Sequence, residues 1–325
     1  MFHVANAAAA AAMLVIVMDC IMTFFGSTAF DAAFNSWVTD VTDDTNRGRA
    51  ETVLQALPLV AMILVFGVLD GFKQRGEWQT FFLIVGIATT VCGILGIFIL
   101  KDKPGMRANN DNYFKNIIYG FRPSTVKKNP RLYIAFAAFC IFSIAYQVFM
   151  PYIIIYLEKT LGITDYAIPL GVILILSAVI SVLFGRVIDK VGKIRCLLPA
   201  AIVLVIGFVL MYFAKGDNLP VLMVFGTVMM GAYLVASACI CGTIRDYTPT
   251  DKVGLFQGVR IVFQVLIPMV TGPYIGAAVI ANNNQTYVEL GTVKTIPTAN
   301  IFLASAAVAA VSYTHLRAHE TRGNL

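Results

Sequence analysis

The chain has 325 residues, of which 58% are hydrophobic and 13% are charged, and its formal net charge at pH 7 is +6. Soluble domains carry about 25% charged residues, so this composition excludes a chain surrounded by water alone and predicts an integral membrane protein. The six cysteines form no CxxC pair, so neither a disulfide framework nor a zinc site is predicted.

Continuous apolar runs, long enough to cross a bilayer, recur along the chain. A hydrocarbon core about 30 Å thick needs about 20 apolar residues per helix, and the alternating ten-residue segments of a membrane barrel are absent. We therefore expect an all-α, polytopic bundle of about nine transmembrane helices and no strands. The predicted spans are approximately 10–37, 53–72, 78–100, 132–157, 167–187, 196–214, 219–242, 256–281 and 296 onward.

The basic residues indicate how these spans are oriented. Seventeen lie in or beside the linkers after the first, third, fifth and seventh spans, and five lie on the other side. Because cytoplasmic linkers carry the excess of Lys and Arg, we expect these linkers in the cytoplasm and the protein in a bacterial-type inner membrane, as a monomer. The positive charge then belongs to the membrane surface, and no nucleic-acid partner is expected.

The longest polar linker, residues 101–131, divides the chain unequally. We expect residues 1–100 to be the remnant of an N-terminal bundle with about three spans, and residues 132–310 to be a six-helix C-terminal bundle. Matching halves would give an original twelve spans, three of them missing from a truncated fragment. Residues 311–325 resemble a translated sequencing-library adapter, with a natural basic tail as the alternative, and they are left out of the functional argument.

Polar residues recur every four positions through the otherwise apolar first span, from Asp19 to Asn35. An acid at mid-membrane costs about 2.5–3.5 kcal/mol on insertion scales, so it normally faces a cavity or a partner. Asp31 is therefore the leading candidate for binding a solute or cation, with Ser27, Thr28 and Asn35 beside it. The alternative is a structural hydrogen bond from Asp31 to one of the helices expected to be missing from the fragment.

A short pattern, D-x-T-x₅-G, follows both the first and the seventh spans. Both copies join an inward span to an outward one. This indicates duplicated halves related by an axis along the membrane normal, with a substrate site between them near the midplane. The residues of the two repeat loops are Asp40, Thr42 and Gly48, and Asp246, Thr248 and Gly254.

Further candidate binding residues lie on the fourth and eighth spans. Tyr146 and Gln147 precede Pro151, and Gln264 lies at mid-membrane on the eighth span. An aromatic face stacks on a sugar ring, and amides bond sugar hydroxyls. We therefore expect these three residues to complete the substrate or cation site.

The linker after the fifth span reads GRVIDKVGKIR, residues 185–195. Glycines permit a tight turn and close helix approach, and a carboxylate there accepts bonds from a helix start or from a neighbouring cation. The pattern GxxxD-[RK]-x-G-[RK] resembles the signature cytoplasmic loop of the major facilitator superfamily, which implies a conformational switch; a solvated turn is the alternative. The matching residues are Gly185, Asp189, Lys190, Gly192 and Lys193.

The first span and two loops resemble the glycoside–pentoside–hexuronide:cation symporters, the melibiose-carrier-like family. The resemblance implies that Asp31 contacts both sugar hydroxyls and a coupling cation, Na⁺ or H⁺. The family's other cation-site acids lie on an earlier helix that this chain lacks, and residues 264–276 contain no lysine, so facilitated passage stays open. The residues that carry the resemblance are Asp31, Phe34, Ser36, Thr42, Asp44, Arg47, Arg49, Asp246 and Tyr247.

No sequence feature indicates catalysis. A phosphate-binding loop, a cluster with metal-ligand spacing and a GxSxG elbow are all absent, so we expect no enzyme, no metal and no cofactor beyond a coupling ion. The expected function is alternating-access transport of a small polar solute, a sugar or glycoside, with a cation. The alternatives are an exporter of drugs or amphipathic metabolites, and a sensor that binds without moving its solute.

Overall fold

The structure is a computed structural model. It describes residues 2–43, 45–69, 71–72, 75–101, 119–249, 253–281, 283–289 and 292–323. Within them, eight helices are long and apolar enough to cross a membrane, so the chain is an integral membrane protein with an all-α bundle. The predicted ninth span is present as a helix, but its apolar part, Asn300–Val311, is shorter than a span.

In the described residues 2–101, three long helices precede the linker. Helix α1 has three consecutive parts. They are the α-helical Phe2–Ser27, the π-helical Thr28–Phe34 and the α-helical Asn35–Val41. Helix α2 comprises Arg47–Leu64 and the π-helical turn Val65–Leu69, and α3 is Trp78–Ile99. Every side chain of α3 is at least partly exposed, as expected for a helix whose surface is apolar on all sides.

From residue 119 onward, the described part of the chain contains seven helices. A short 3₁₀ turn, Tyr119–Phe121, leads into α4, Pro123–Lys128. Helix α5 begins as Pro130–Phe149 and continues through Met150–Tyr152, Ile153–Ile155 and the π-helical Tyr156–Thr160. The others are α6, Ala167–Val191; α7, Lys193–Tyr212; α8, Leu219–Tyr247; α9, made of Val253–Ile261, π-helical Val262–Leu266 and Ile267–Ile280; and α10, Asn300–Gly323.

The expectation of no strands was wrong for one linker. Between α9 and α10, β1 (Thr286–Glu289) and β2 (Thr292–Thr295) form an antiparallel hairpin in which Val288 lies opposite Val293. The segment is rich in Thr and Val, which favour strands, and it is too short to produce a ten-residue alternating pattern. The hairpin adds no sheet to the described core, so the fold class is unchanged.

The core lies among the helices after the linker. Helix α7 packs against α8, α6 against α8, and α5 against α9 and α10. Helix α2 joins this group by packing against both α6 and α8. The six largest fully buried side chains are all aromatic: Phe136, Phe149, Tyr156, Phe208, Phe256 and Phe302.

Candidate functional site

Charged residues from both sides of the long linker, and the polar and backbone groups that bond them, meet at one end of the bundle. They come from the facing ends of α1 and α2, the α6–α7 turn, the last turns of α8 and the first half of α9. We call this set the ionic cluster. Its members are Asn35, Thr39, Arg47, Gly48, Arg49, Glu51, Asp189, Lys193, Arg245, Asp246 and Arg260.

The centre of the ionic cluster is a buried ion pair between Glu51 of α2 and Arg245 of α8. The two side chains are 1% and 2% exposed, and Arg245 Nε donates to Glu51 Oε1. The other guanidinium nitrogens reach α1: Nη1 donates to the Asn35 carbonyl at 2.6 Å and to Thr39 Oγ1 at 2.8 Å, and Nη2 donates to Asn35 Oδ1 at 2.8 Å. Because burial of a lone guanidinium is costly, these acceptors hold three helices together.

Asn35 and Gln264 are connected through Arg260 of α9. Arg260 Nη1 donates to Asn35 Oδ1 at 3.0 Å, and Arg260 Nε donates to Gln264 Oε1 at 2.9 Å. Asn35 Nδ2 donates in turn to the Phe30 carbonyl at 3.0 Å. Two residues predicted from sequence to bind a solute are therefore held by arginine side chains.

Sequence reasoning missed Arg245 and Arg260 as site residues, because it counted both as basic linker residues. In the structure Arg245 lies in the last turns of α8, Arg260 lies inside α9, and both are buried. The available signal was a charge within or beside an apolar run, which normally marks a partner or a cavity.

A second tie runs through Asp246, at the end of α8. Its carboxylate accepts from Arg47 Nη1 at the start of α2 and from Lys193 Nζ at the start of α7, the latter at 2.6 Å. The Asp246 side chain is 25% exposed, so this part of the cluster lies nearer to water than the Glu51–Arg245 pair.

A third tie joins the α6–α7 motif to the start of α2. Asp189 Oδ1 accepts from the Gly48 backbone N–H at 2.8 Å, and Oδ2 accepts from Arg49 Nε at 2.8 Å. A carboxylate at this position also interacts favourably with the helix macrodipole. The Asp189 side chain is 3% exposed, whereas that of Arg49 is 59% exposed, so solvent screens the charge pair but not the bond to the backbone.

Two glycines allow this close approach. A Cβ on Gly48 would lie 2.4 Å from Asp189 Oδ1, and a Cβ on Gly185 would lie 2.5 Å from Thr52 Oγ1 and 3.1 Å from the Arg49 Cα. Gly192, which ends α6, has φ +103°, a value that L side chains rarely adopt. Lys190, the remaining motif residue, is exposed.

The two repeat loops use their threonines in the same way. Thr42 Oγ1 donates to the Val38 carbonyl at 2.6 Å, and Thr248 Oγ1 donates to the Ile244 carbonyl at 2.7 Å. Each threonine is the C-cap of its helix and has extended backbone angles. The repeat glycines differ, because a Cβ on Gly254 would meet nothing within 4 Å.

Several predicted binding residues lie apart from the cluster. Ser27 and Thr28 are exposed on α1, and Thr28 Oγ1 donates to the Phe24 carbonyl at 2.7 Å. The Tyr146 ring stacks on Tyr233 with centroids 4.3 Å apart, so one of its faces is occupied. In the described conformation these residues make no contact with Asn35 or Gln264 among the hydrogen bonds and ring contacts given above, and a shared binding site stays a prediction.

Other predicted residues contribute through the backbone or lie outside the described part. Gln147 packs against α9, where a Cβ on Gly272 would lie 2.4 Å from the Gln147 Cβ. The backbone around Asp31 is π-helical, but its side chain lies outside the described part of the chain, as does Asp44 altogether. Asp40 lies in the last turn of α1, one residue beyond Thr39 of the cluster.

Asp43 shapes the turn between α1 and α2. Its carboxylate accepts from the Thr45 hydroxyl at 2.6 Å and from the Thr45 backbone N–H at 2.9 Å. These hydrogen bonds lower the pKa of Asp43 below its ordinary value, because they favour the ionised form. The turn places Arg47, four residues later, next to Asp246.

Comparison with known proteins gives one family. The family model described as Major Facilitator Superfamily matches residues 2–273 and, in a second overlapping match, residues 172–321. No curated protein sequence matches the chain. The two family matches together cover nearly all of the chain.

Proposed function

We propose a function from the premise that the chain belongs to the Major Facilitator Superfamily and is a secondary transporter with membrane-spanning helices. The proposal is that it moves a small polar solute, a sugar or glycoside, by alternating access and with a coupled cation. In this proposal the ionic cluster is the latch that keeps one face closed.

The observation that carries the proposal is the number of ties between helices on opposite sides of the long linker. Glu51 bonds Arg245, Arg47 bonds Asp246, and Gly48 and Arg49 bond Asp189. Alternating access moves one bundle against the other around a fixed site. All three ties hold only while this end is closed, so a transporter that opens here must break them together.

The proposed orientation places the ionic cluster on the cytoplasmic side of an inner membrane. The basic linkers lie at the cluster end, and the positive-inside rule supports this assignment. The described conformation would then be closed to the cytoplasm. A monomer is part of the same proposal.

Support for a polar solute and a coupled cation comes from the first helix. The backbone of Thr28–Phe34, which includes Asp31, is π-helical, and π-helical turns are frequent at functional sites. This turn packs against Val253–Ile261 of α9, the segment that carries Arg260. A carboxylate here would accept hydroxyl hydrogen bonds from a sugar and attract Na⁺ or H⁺.

Counterflow tests this proposal. The full-length gene product in proteoliposomes should exchange labelled sugar, and Asp31→Asn should abolish cation-driven accumulation while leaving membrane insertion intact. The matched control is Asp19→Asn, an acid on the same helix with an exposed side chain, which should retain accumulation. Wild-type accumulation by Asp31→Asn would remove Asp31 from the mechanism. Binding of sugar without any counterflow would instead indicate a sensor.

Export of amphipathic compounds remains the second candidate, and one observation favours it. A cavity whose described lining residues are all apolar lies between α2 and the helices after the linker. Such an apolar surface does not strengthen the binding of a solute that is polar throughout.

A further inference from the structure

A cavity of about 80 Å³ lies where α2 faces α5, α6, α7 and α8. Among the described residues, its lining contains no charged or polar side chain. On α8, the 15 residues from Met230 to Arg245 correspond to about 22 Å at 1.5 Å per residue. The cavity therefore lies in the half of the bundle opposite the ionic cluster.

Methionine is the commonest residue type in the lining of this cavity, with five of the fourteen residues. Their unbranched side chains and polarizable sulfurs adapt to differently shaped apolar groups, so methionine-rich surfaces suit variable ligands. One of them comes from α2 and the rest from helices after the linker, so both sides of the bundle contribute. The lining methionines are Met62, Met150, Met211, Met229 and Met230.

The side chains change from apolar to polar between the cavity and the ionic cluster. One helical turn from Met150, Tyr146 stacks on Tyr233, which is itself about one turn from Met229 and Met230. Two turns beyond Tyr233 on the same helix, Cys241 Sγ accepts from Gln55 Nε2 of α2 at 3.3 Å, and Arg245 follows one turn later. A molecule with an apolar end and a polar end matches this order of surfaces.

We infer that the methionine-lined cavity binds a short alkyl group of an amphipathic solute, such as the aglycone of an alkyl glycoside. The inference rests on the proposed transport function and narrows its substrate class. A cavity of roughly 150 Å³ holds benzene, so a cavity of about 80 Å³ fits a group smaller than a phenyl ring. Each buried methylene strengthens binding about fourfold, so an isopropyl glycoside, with two more carbons, should bind roughly 15-fold more tightly than the methyl glycoside.

Methyl-labelled methionine NMR of the full-length gene product tests the inference. The probes are xenon, which carries no polar group, and the methyl and isopropyl glycosides of one hexose. Saturable shifts are expected at the Met62, Met229 and Met230 methyls with xenon and with the isopropyl glycoside. Met269 of α9, which is 57% exposed and outside the cavity, is the internal control.

Filling the cavity supplies the matched variants. Met230→Trp should abolish the saturable xenon shift and the preference for isopropyl over methyl, and Met269→Trp should leave both unchanged. Met62→Trp, which fills the cavity from α2, replaces Met230→Trp if that variant does not assemble.

The outcomes separate this inference from the proposed function. Cavity methyls that shift no more than Met269, or equal affinities for the two glycosides, would overturn the inference, and sugar counterflow in the same preparation would leave the transport proposal standing. Saturable xenon shifts at the cavity methyls, without counterflow of any glycoside, would support the apolar site and remove the glycoside transport proposal.

Discussion

The two ends of the described bundle hold α2 against its neighbours by different means. At the ionic cluster the contacts are hydrogen bonds with fixed partners, such as Arg245 with Glu51 and Asn35. At the methionine-lined cavity the contacts are apolar and non-directional. Directional contacts define one arrangement and are lost together, whereas flexible apolar side chains repack when a helix moves. The comparison therefore indicates a latch at one end and an adaptable surface at the other.

The largest expected effect comes from removing one partner of the buried ion pair. Glu51→Ala leaves Arg245 buried without its carboxylate, which should lower the free energy of unfolding by about 3–5 kcal/mol. Met230→Leu, a volume-conserving change at the cavity, should cost less than about 1.5 kcal/mol. Denaturant unfolding in one detergent measures both.

A double variant provides the control for that prediction. Replacing both partners by apolar residues, Glu51→Met with Arg245→Met, should destabilise less than Glu51→Ala, because neither charge of the pair is left buried without the other. Equal effects of Glu51→Ala and Met230→Leu would contradict the contrast between the two ends.

A smaller effect is expected from the repeat glycines. Gly48→Ala places a Cβ 2.4 Å from Asp189 Oδ1 and should weaken closure by about 1–3 kcal/mol, whereas Gly254→Ala meets open space. The natural Cys241, buried between α2 and α8, reports opening through its rate of reaction with a membrane-impermeant maleimide. Faster labelling is expected in Gly48→Ala alone, and the same rate in both variants would mean that Gly48 does not control closure.

The smallest effect is expected at the charge of Asp189. Asp189→Asn keeps an oxygen for the Gly48 N–H but loses the pairing with Arg49, whose side chain is 59% exposed. Closure should weaken by about 1 kcal/mol or less, seen as a modest rise in Cys241 labelling that high salt diminishes. Lys190→Ala, at the exposed neighbour, should leave the labelling rate unchanged. If Asp189→Asn raised Cys241 labelling as much as Glu51→Ala does, the Asp189–Arg49 pair would be the contact that controls closure.

Much of the fold follows from local sequence. Apolar runs of about 20 residues predict the spans because each helix must satisfy its own backbone in lipid. Each of the eight described spans overlaps a predicted one, with bounds that differ by six residues or fewer. The hairpin at Thr286–Thr295 was missed because its pattern is only four residues long on each strand.

Less of the candidate site could be predicted from the sequence. The spacing along α1 predicted that Asn35 lies at a polar position, but not that Arg245 and Arg260 are its partners, since they are 210 and 225 residues away. Similarly, the sequence indicates a free aromatic face at Tyr146, whereas in the structure this ring stacks on Tyr233 of another helix. Linear patterns give polarity and spacing, whereas pairing depends on how distant helices pack.

The matched hydrogen bonds of Thr42 and Thr248 have a consequence for motion. The last carbonyls of a helix have few internal partners, and here each C-cap threonine hydroxyl supplies an additional donor to a carbonyl of its own helix. Separation of α1 from α8 therefore leaves these two carbonyls satisfied and requires no compensating rehydration. The free energy required for opening is therefore set by the contacts between helices and not by these two helix ends.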